Sequence, residues 1–355
     1  MAEQAGIGIL GFAHGHVNAY CRQWLSRPEL GVRPVAAWDH DRDRMDRAAR
    51  DHGVEACETA DALLARSDVS AVVIATETSR HAELVETAAD AGRTIILQKP
   101  LALTLGEADR IVAAVERSAA RFTLAWQMRV DPQNLEIRKL VRNGTLGRLF
   151  MVRRRHGLSL LLNPAFAKSW HVDPAQNRDM WADDAAHAID FLYWLLGKPE
   201  SVMAELATFH NPDTPMDNGV AVFRYPGGPL AEAFCSFTNP AGENTTEIAA
   251  EKGSLIQNHG DAISCNSTTT HRGIGLKWFL REEEQWIVSD HPVPQSHSDR
   301  IAALAEPLAA FVHGDAGPIA TAEEGRDVLR MTLACYVSSR EGCRVSLDDP
   351  RIDEV

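Results

Sequence analysis

Asp183 and His187 stand four residues apart in Trp181-Ala182-Asp183-Asp184-Ala185-Ala186-His187, a spacing that sets both on one face of a helix start, close enough to act on one substrate. Histidine titrates near neutrality and is the natural acceptor for a hydroxyl proton. The same residues equally suit a capped helix, with Asp183 or Asp184 as the cap and His187 as a packed, hydrogen-bonded ring. Lys99 closes the run Ile96-Leu97-Gln98-Lys99-Pro100. Pro100 biases Lys99 toward extended backbone and fixes where its side chain emerges, although a lysine snorkelling from a strand end is the other reading. No third ligand with suitable spacing accompanies these groups, so no metal is expected.

A second constellation concerns phosphate. Gly8-Ile9-Leu10-Gly11-Phe12-Ala13-His14-Gly15-His16 joins an apolar strand to a helix, the setting in which backbone amides at a helix N-terminus hold a dinucleotide pyrophosphate. Gly11 fits the first position of G-x-G-x-x-G, while Ala13 and His16 stand where the second and third glycines belong; a plain strand-to-helix turn would also read this way. The next strand ends Ala37-Trp38-Asp39. A carboxylate there accepts the adenosine ribose hydroxyls and repels a 2′-phosphate, which favours NAD over NADP. Asp39 also suits a turn or cap role shared with Asp41 and Asp43, and Arg42 or Arg44 keeps NADP open. Two further strands end at Thr76 and at Gln98-Lys99, delivering polar groups to the carboxyl edge of a sheet, where ligands bind in open α/β folds.

The elements that must position these residues follow from periodicity. Through residue 126, short apolar runs (7–10, 32–38, 71–75, 94–97, 122–126) alternate with helical patterns (17–26, 43–52, 80–91, 105–118), the rhythm of a parallel sheet with crossover helices. Beyond Arg129, turn signals such as Asn143-Gly144 and Gly227-Gly228 separate strand-like segments at 147–156, 201–209, 219–225, 230–237, 246–250 and 276–282. A helix over 185–196 ends on Gly197 and Pro199, and a C-terminal helix opens on Thr321 with Glu324 as a capping box. The expected plan is an α/β class protein: a dinucleotide-binding domain over 1–126, then an α+β domain over 127–355 with a large, mainly antiparallel sheet.

Bulk properties narrow the function classes. With 36 Lys and Arg against 49 Asp and Glu, the net charge of −13 repels nucleic acid and anionic membrane. No apolar stretch approaches the ~20 residues of a membrane span, and the start lacks a secretion signal's basic and apolar regions, so a cytoplasmic location is expected. Six cysteines (21, 57, 235, 265, 335 and 343) show no paired spacing and are read as small hydrophobes. The run Arg153-Arg154-Arg155 is read as a solvated strand end.

Several stretches in order give the chain a resemblance to the Gfo/Idh/MocA family of nicotinamide-dependent oxidoreductases: the glycine loop, Thr76 to His81, Gln98-Lys99-Pro100, Arg129 to Pro132, Asn143 to Gly147, Asp183 to Asp190, and Gly197-Lys198-Pro199. The resemblance implies a Rossmann domain followed by an open-sheet domain that assembles homodimers or homotetramers. It implies Lys99, Asp183 and His187 as the catalytic set. For NAD it implies Gly11, Phe12, Ala13, His14, His16, Asp39, Thr76, His81, Gln98 and Lys99, with NADP as the variant. Substrate contacts are expected from the residues flanking the matched motifs, Gln127, Arg129, Arg155, Trp170 and His171. The implied reaction moves a hydride between nicotinamide and the carbinol carbon of a sugar, inositol or related polyol. Two alternatives are an NAD-recycling glycosidase working by transient oxidation and elimination, and a non-catalytic NAD-dependent binding or regulatory protein. Four positions depart from the family pattern: Gln98 replaces glutamate, Glu77-Thr78 replaces Pro-Asn, and Ala185 replaces glycine.

Overall fold

The computed structural model describes residues 4–242, 244–258, 275–292 and 297–355. Two compact units emerge, one formed by Met1–Val130 with Arg300–Arg326, the other by Asp131–Asp299 with Asp327–Val355. In the first unit, strands β1 (Ala5–Leu10), β2 (Val32–Trp38), β3 (Glu55–Ala56), β4 (Ala71–Ile74), β5 (Thr94–Leu97) and β6 (Phe122–Leu124) form one sheet in the order β3-β2-β1-β4-β5-β6. Every pairing is parallel. That order is the doubly wound dinucleotide-binding arrangement, whose switch point lies between β1 and β4. β4 is wholly buried, as expected of a strand covered on both faces, which explains its unbroken apolar run. Crossovers are supplied by α1 (His16–Ser26), α2 (Arg42–His52), α3 (Ala60–Leu64), α4 (His81–Asp90) and α5 (Leu105–Ser118).

In the second unit, α6 (Pro132–Arg142) precedes β7 (Leu149–Gly157), and α7 (Ala186–Leu196) precedes the run β8 (Ser201–Ala207), β9 (Asn218–Arg224), β10 (Leu230–Ser236), β11 (Asn244–Ala250), β12 (Gly253–Asn258), β13 (Leu276–Leu280), β14 (Gln285–Val288) and β15 (Val345–Ser346). These nine strands lie in the order β14-β13-β12-β11-β7-β10-β9-β8-β15, antiparallel except for β7 beside β10. Alternation divides the sheet into two faces. Val152, Ala231, Ala233, Ala221 and Phe223 are buried on the inward face, and α7 lies along it with Ile189, Phe191, Leu192 and Leu195 buried. A helix buried so nearly all round belongs in a core. The arginine run splits accordingly. Arg154 turns inward, 1% exposed, donating to Thr246 Oγ1 and Gln257 Oε1 and lying 4.4 Å from the Phe191 ring, so it is a core residue and not a solvated strand end. Arg153 faces outward and pairs with Glu232 and Glu247.

The C-terminal region carries α8 (His297–Ala302), α9 (Ala305–His313) and α10 (Ala322–Glu341). Sequence reading assigned all of 127–355 to the second domain, yet 300–326 belongs to the first unit. The reason is apolar: Ile301, Leu304, Leu308 and Phe311 join the core of Ile7, Val17, Tyr20 and Trp24, and the Trp24 indole donates to the Ala305 carbonyl at 2.8 Å. The capping box expected at α10 is present, with Glu324 N donating to Thr321 Oγ1 and Thr321 N donating to Glu324 Oε2, both at 3.2 Å. Thr321→Ala should therefore cost about 1 kcal/mol of stability, measured by chemical denaturation, because the first helical turn loses one acceptor. The five described cysteines are unbridged thiols, and Cys265 lies outside the described residues. Among the described residues no helix is long and apolar enough to cross a membrane.

Candidate active site

In the first unit the carboxyl ends of β1, β2, β4 and β5 converge on one cluster of polar groups. Gly11 leaves β1 with φ +88°, and a Cβ there would lie 2.3 Å from Thr76 Cγ2 and 2.9 Å from Thr76 Cα, so only glycine fits the turn. The loop then feeds α1, whose N-cap Gly15 offers no side-chain cap and whose own Cβ position meets nothing within 4 Å. A helix start without a side-chain cap suits an anion. Phe12 sends its ring into the core against His52, at 5.9 Å, and contributes only its backbone N–H, which donates to Asp39 Oδ2 at 2.7 Å. His14 is buried and meets His16 edge-on at 4.3 Å. Ala13 lies between Phe12 and His14 in the same loop.

Asp39 stands at the tip of β2 as expected, but its carboxylate is already engaged. It accepts from Phe12 N, from Asp41 N at 2.9 Å, and from Arg44 Nε and Nη2 at 2.6 and 2.7 Å, with a side chain 0% exposed. Arg44 Nη2 also donates to Glu77 Oε1 at 3.0 Å, and His40 Nδ1 lies 3.4 Å from Asp39 Oδ1. The simple expectation of a ribose-binding carboxylate waiting at the strand tip needs correction: the guanidinium fills Asp39, and the cluster runs on to Glu77. The sequence signal was Glu77-Thr78 where the resembling family has Pro-Asn.

Thr76 and Gln98 end β4 and β5, and both are wholly buried. Among the described residues Thr76 Oγ1 and Gln98 Oε1 have no hydrogen-bond partner, while Gln98 Nε2 donates to the Tyr20 hydroxyl. Burial pushes the Tyr20 phenol up, so that hydroxyl stays protonated. Two orphaned acceptors at these strand ends are costly unless something donates to them. Lys99 follows at 2% exposure, before a cis peptide to Pro100. His81 is engaged at one ring nitrogen, while its Nε2 has no hydrogen-bond partner among the described residues. It is fully buried, its Nδ1–H donates to the carbonyls of Pro100 and Leu101 at 3.0 and 3.3 Å, and burial pushes its imidazole down to about 4. It is a neutral pin for the segment that carries Lys99. Gln127 is buried in a 3₁₀ turn. Arg129 is another correction: it pairs with Glu324 at 2.7 Å and donates to Ile319 O at 3.2 Å, with its side chain 2% exposed, so it serves the fold of this unit.

In the second unit, residues 181–185 form a π-turn that runs directly into α7, so Asp183 sits on widened backbone and not on a regular α-helix start. Such insertions recur where side chains must be re-aimed at a site. Asp183, 1% exposed, pairs with His171 Nδ1 at 2.8 Å, and the His171 ring stacks on Trp170 and Phe166 at 3.9 and 4.8 Å. A carboxylate oxygen of Asp184 lies 3.5 Å from His187 Nε2. Sequence reasoning missed His156, whose ring lies 5.5 Å from that of His187 on the inward face of β7. Its signal was the alternation through 152, 154 and 156, hidden by the arginines. By the same alternation Arg155 faces outward, over Phe234 at 5.7 Å, so it does not share the face that carries His156.

Asp179 begins this segment. It accepts from Ala182 N at 3.0 Å and from the Tyr336 hydroxyl, and its own carbonyl accepts from Asp183 N at 3.1 Å. Burial pushes its carboxyl up to about 6, above the ordinary 3.8. A carboxyl raised on folding stabilises fully below about pH 4 and loses that contribution as pH rises through 6, a swing on the order of 2–3 kcal/mol. Thermal melts from pH 4 to 7 should show wild type losing stability relative to Asp179→Asn. Parallel curves would contradict the assignment.

Comparison with known proteins adds to this geometry. Residues 5–125 match the family profile described as an oxidoreductase family with an NAD-binding Rossmann fold, and residues 134–256 match the GFO/IDH/MocA C-terminal domain. Inositol 2-dehydrogenase of Gluconacetobacter diazotrophicus is 31% identical over 195 residues, covering 54% of each chain. Levoglucosan dehydrogenase of Pseudarthrobacter phenanthrenivorans is 30% identical over 220 residues, 61% of this chain and 56% of the relative. The matched stretches thus span about half the length of these curated relatives. A solved levoglucosan dehydrogenase, in complex with NADH and levoglucosan, superposes with a TM-score of 0.83 at 19% identity, over 98% of this chain and all of that one, which establishes the shared fold.

Proposed function

Because the chain belongs to the Gfo/Idh/MocA oxidoreductase family, we propose that it is an NAD-dependent dehydrogenase moving a hydride between nicotinamide and a carbinol or keto carbon of a sugar, inositol or related polyol. The observation that carries the reading is a pair of orphaned, fully buried acceptors at neighbouring strand ends: Thr76 Oγ1, against a glycine turn that no Cβ could enter, and Gln98 Oε1, directly before Lys99. Those groups fit a dinucleotide: an uncapped helix start for the pyrophosphate, and acceptors for its hydroxyl or amide donors.

NAD, when bound, supplies the hydride acceptor. The rest of the chemistry belongs to the chain. In the oxidative direction the substrate C–H electron pair leaves with the hydride, the C–O bond becomes C=O, and the hydroxyl proton passes to His187. The Lys99 ammonium holds and polarises that oxygen. Asp183, held by His171 Nδ1, orients the polyol, and the Asp184 carboxylate lies 3.5 Å from His187 Nε2. His81 keeps the Lys99 segment in place through the Pro100 and Leu101 carbonyls.

Formation of NADH, followed by absorbance against a panel of sugars, inositols and their keto forms, tests the reading. Turnover with at least one polyol is the expected result. Release of sugar from a glycoside without net NADH would replace the dehydrogenase with the NAD-recycling glycosidase.

A homodimer or homotetramer is part of the proposal. The outward face of the large sheet exposes Met151, Leu230, Phe234, Ile256, Trp286 and Val288 around the Arg153–Glu232 pair. An apolar face of this kind suits a second copy of the chain. Light scattering after size exclusion reads the mass, and a monomer would refute it.

A further inference from the structure

We propose that Glu77 sets the coenzyme preference of this chain, by holding Arg44 inside a net-negative cluster and so denying its guanidinium to a 2′-phosphate. The inference rests on the dinucleotide reading above and concerns only how the adenosine end is selected.

Asp39 would ordinarily be taken as the selector, but it is sealed. Both its oxygens are filled by Phe12 N, Asp41 N and two Arg44 nitrogens, and none of its side chain reaches solvent. Arg44 is the member that does reach the surface, with 18% of its side chain exposed against 5% for Glu77. A partly exposed guanidinium beside a strand tip is the group a 2′-phosphate would recruit, through charge-assisted bonds. Glu77 blocks that use in two ways. Its Oε1 takes Arg44 Nη2, which Asp39 Oδ1 also takes, so that nitrogen is committed to carboxylates on both sides. Two carboxylates around one guanidinium also leave the cluster with an excess negative charge, which opposes a phosphate dianion within a few ångströms.

Glu77 Oε2 supplies the positive half of the selection. It is buried and, among the described residues, has no hydrogen-bond partner; His40 Nδ1 lies 3.7 Å away. A ribose hydroxyl can donate to this oxygen, whereas a 2′-phosphate has nothing to give it. The device joins residues from the ends of β2 and β4 and would be lost with the apolar proline that the resembling family carries at this position.

The test is equilibrium binding of NADH and NADPH to the full chain, by fluorescence titration, for wild type, E77Q and R44Q/E77Q. Wild type should prefer NADH. E77Q should narrow that preference about tenfold or more, chiefly by tightening NADPH, since the cluster loses one of the negative charges that oppose the 2′-phosphate. R44Q/E77Q should lose the gain. A measurement needing no variant guards against misfolding: raising salt screens repulsion, so the wild-type preference should shrink as ionic strength rises. An E77Q preference equal to wild type, or a wild-type preference that grows with salt, overturns the role of Glu77 while leaving the dehydrogenase reading intact. Wild type that binds neither nucleotide overturns that reading and this inference with it.

Discussion

Replacing His187 by alanine should lower turnover by about 10²- to 10⁴-fold while leaving the affinity for NADH within a few-fold of wild type, which is the size expected when a positioned acid/base is removed. Lys99→Ala should do the same, because it strips the charge that polarises the reacting oxygen. Both side chains are nearly fully buried, at 3% and 2% exposure, so each variant needs a thermal melt alongside the kinetics. The two roles separate by pH. Without His187 the rate should lose its dependence on pH near neutrality, and imidazole added to the solution should restore part of it. Near-normal turnover by either folded variant ends the mechanism given above.

Gly11→Ala is the second large effect. Its backbone, at φ +88°, costs an L-residue roughly 1–3 kcal/mol, and the new Cβ would press on Thr76 Cγ2 at 2.3 Å and on Thr76 Cα and N at 2.9 Å. Backbone cannot yield as a flexible side chain does, so Thr76 and its orphaned hydroxyl must shift. NADH affinity should fall roughly a hundredfold, the equivalent of nearly 3 kcal/mol, with a lower melting temperature. Gly15→Ala is the control, since its φ of −59° is ordinary and nothing lies within 4 Å of the added methyl. It should melt as wild type. Equal effects from the two substitutions would mean that Gly11 is not the residue the turn depends on.

The parallel sheet and its crossovers were legible because buried strands such as 71–74 are apolar without interruption, and the glycine turn, Asp39, Thr76 and Lys99 fall at the ends of those strands. The capping box at Thr321 was equally plain, being a local pattern. What escaped was non-local. Nothing within 300–326 says that Leu304 and Leu308 will close over Trp24, almost three hundred residues away in the chain. Arg129 and His81 were read as ligand contacts because polar residues near motifs invite it, yet burial gave each a structural partner in Glu324 and in the Pro100 carbonyl. The partners of Asp39 and Asp183 were hidden for the same reason: Arg44 and His171 lie close in sequence, but which carboxylate a cation reaches depends on backbone geometry, and at Asp183 that geometry is not α-helical.

The π-turn at 181–185 makes the length of this segment as significant as its residues. It holds one amino acid more than an α-helix would need over the same path, and an α-helix turns ~100° per residue. Deleting Ala182 would leave every acidic and imidazole side chain in the chain and every apolar position of α7 unchanged. It would nonetheless rotate the residues before the gap by about a quarter turn against those after it. A chain can therefore keep each letter of its signature and still lose the signature's meaning through a change in spacing alone.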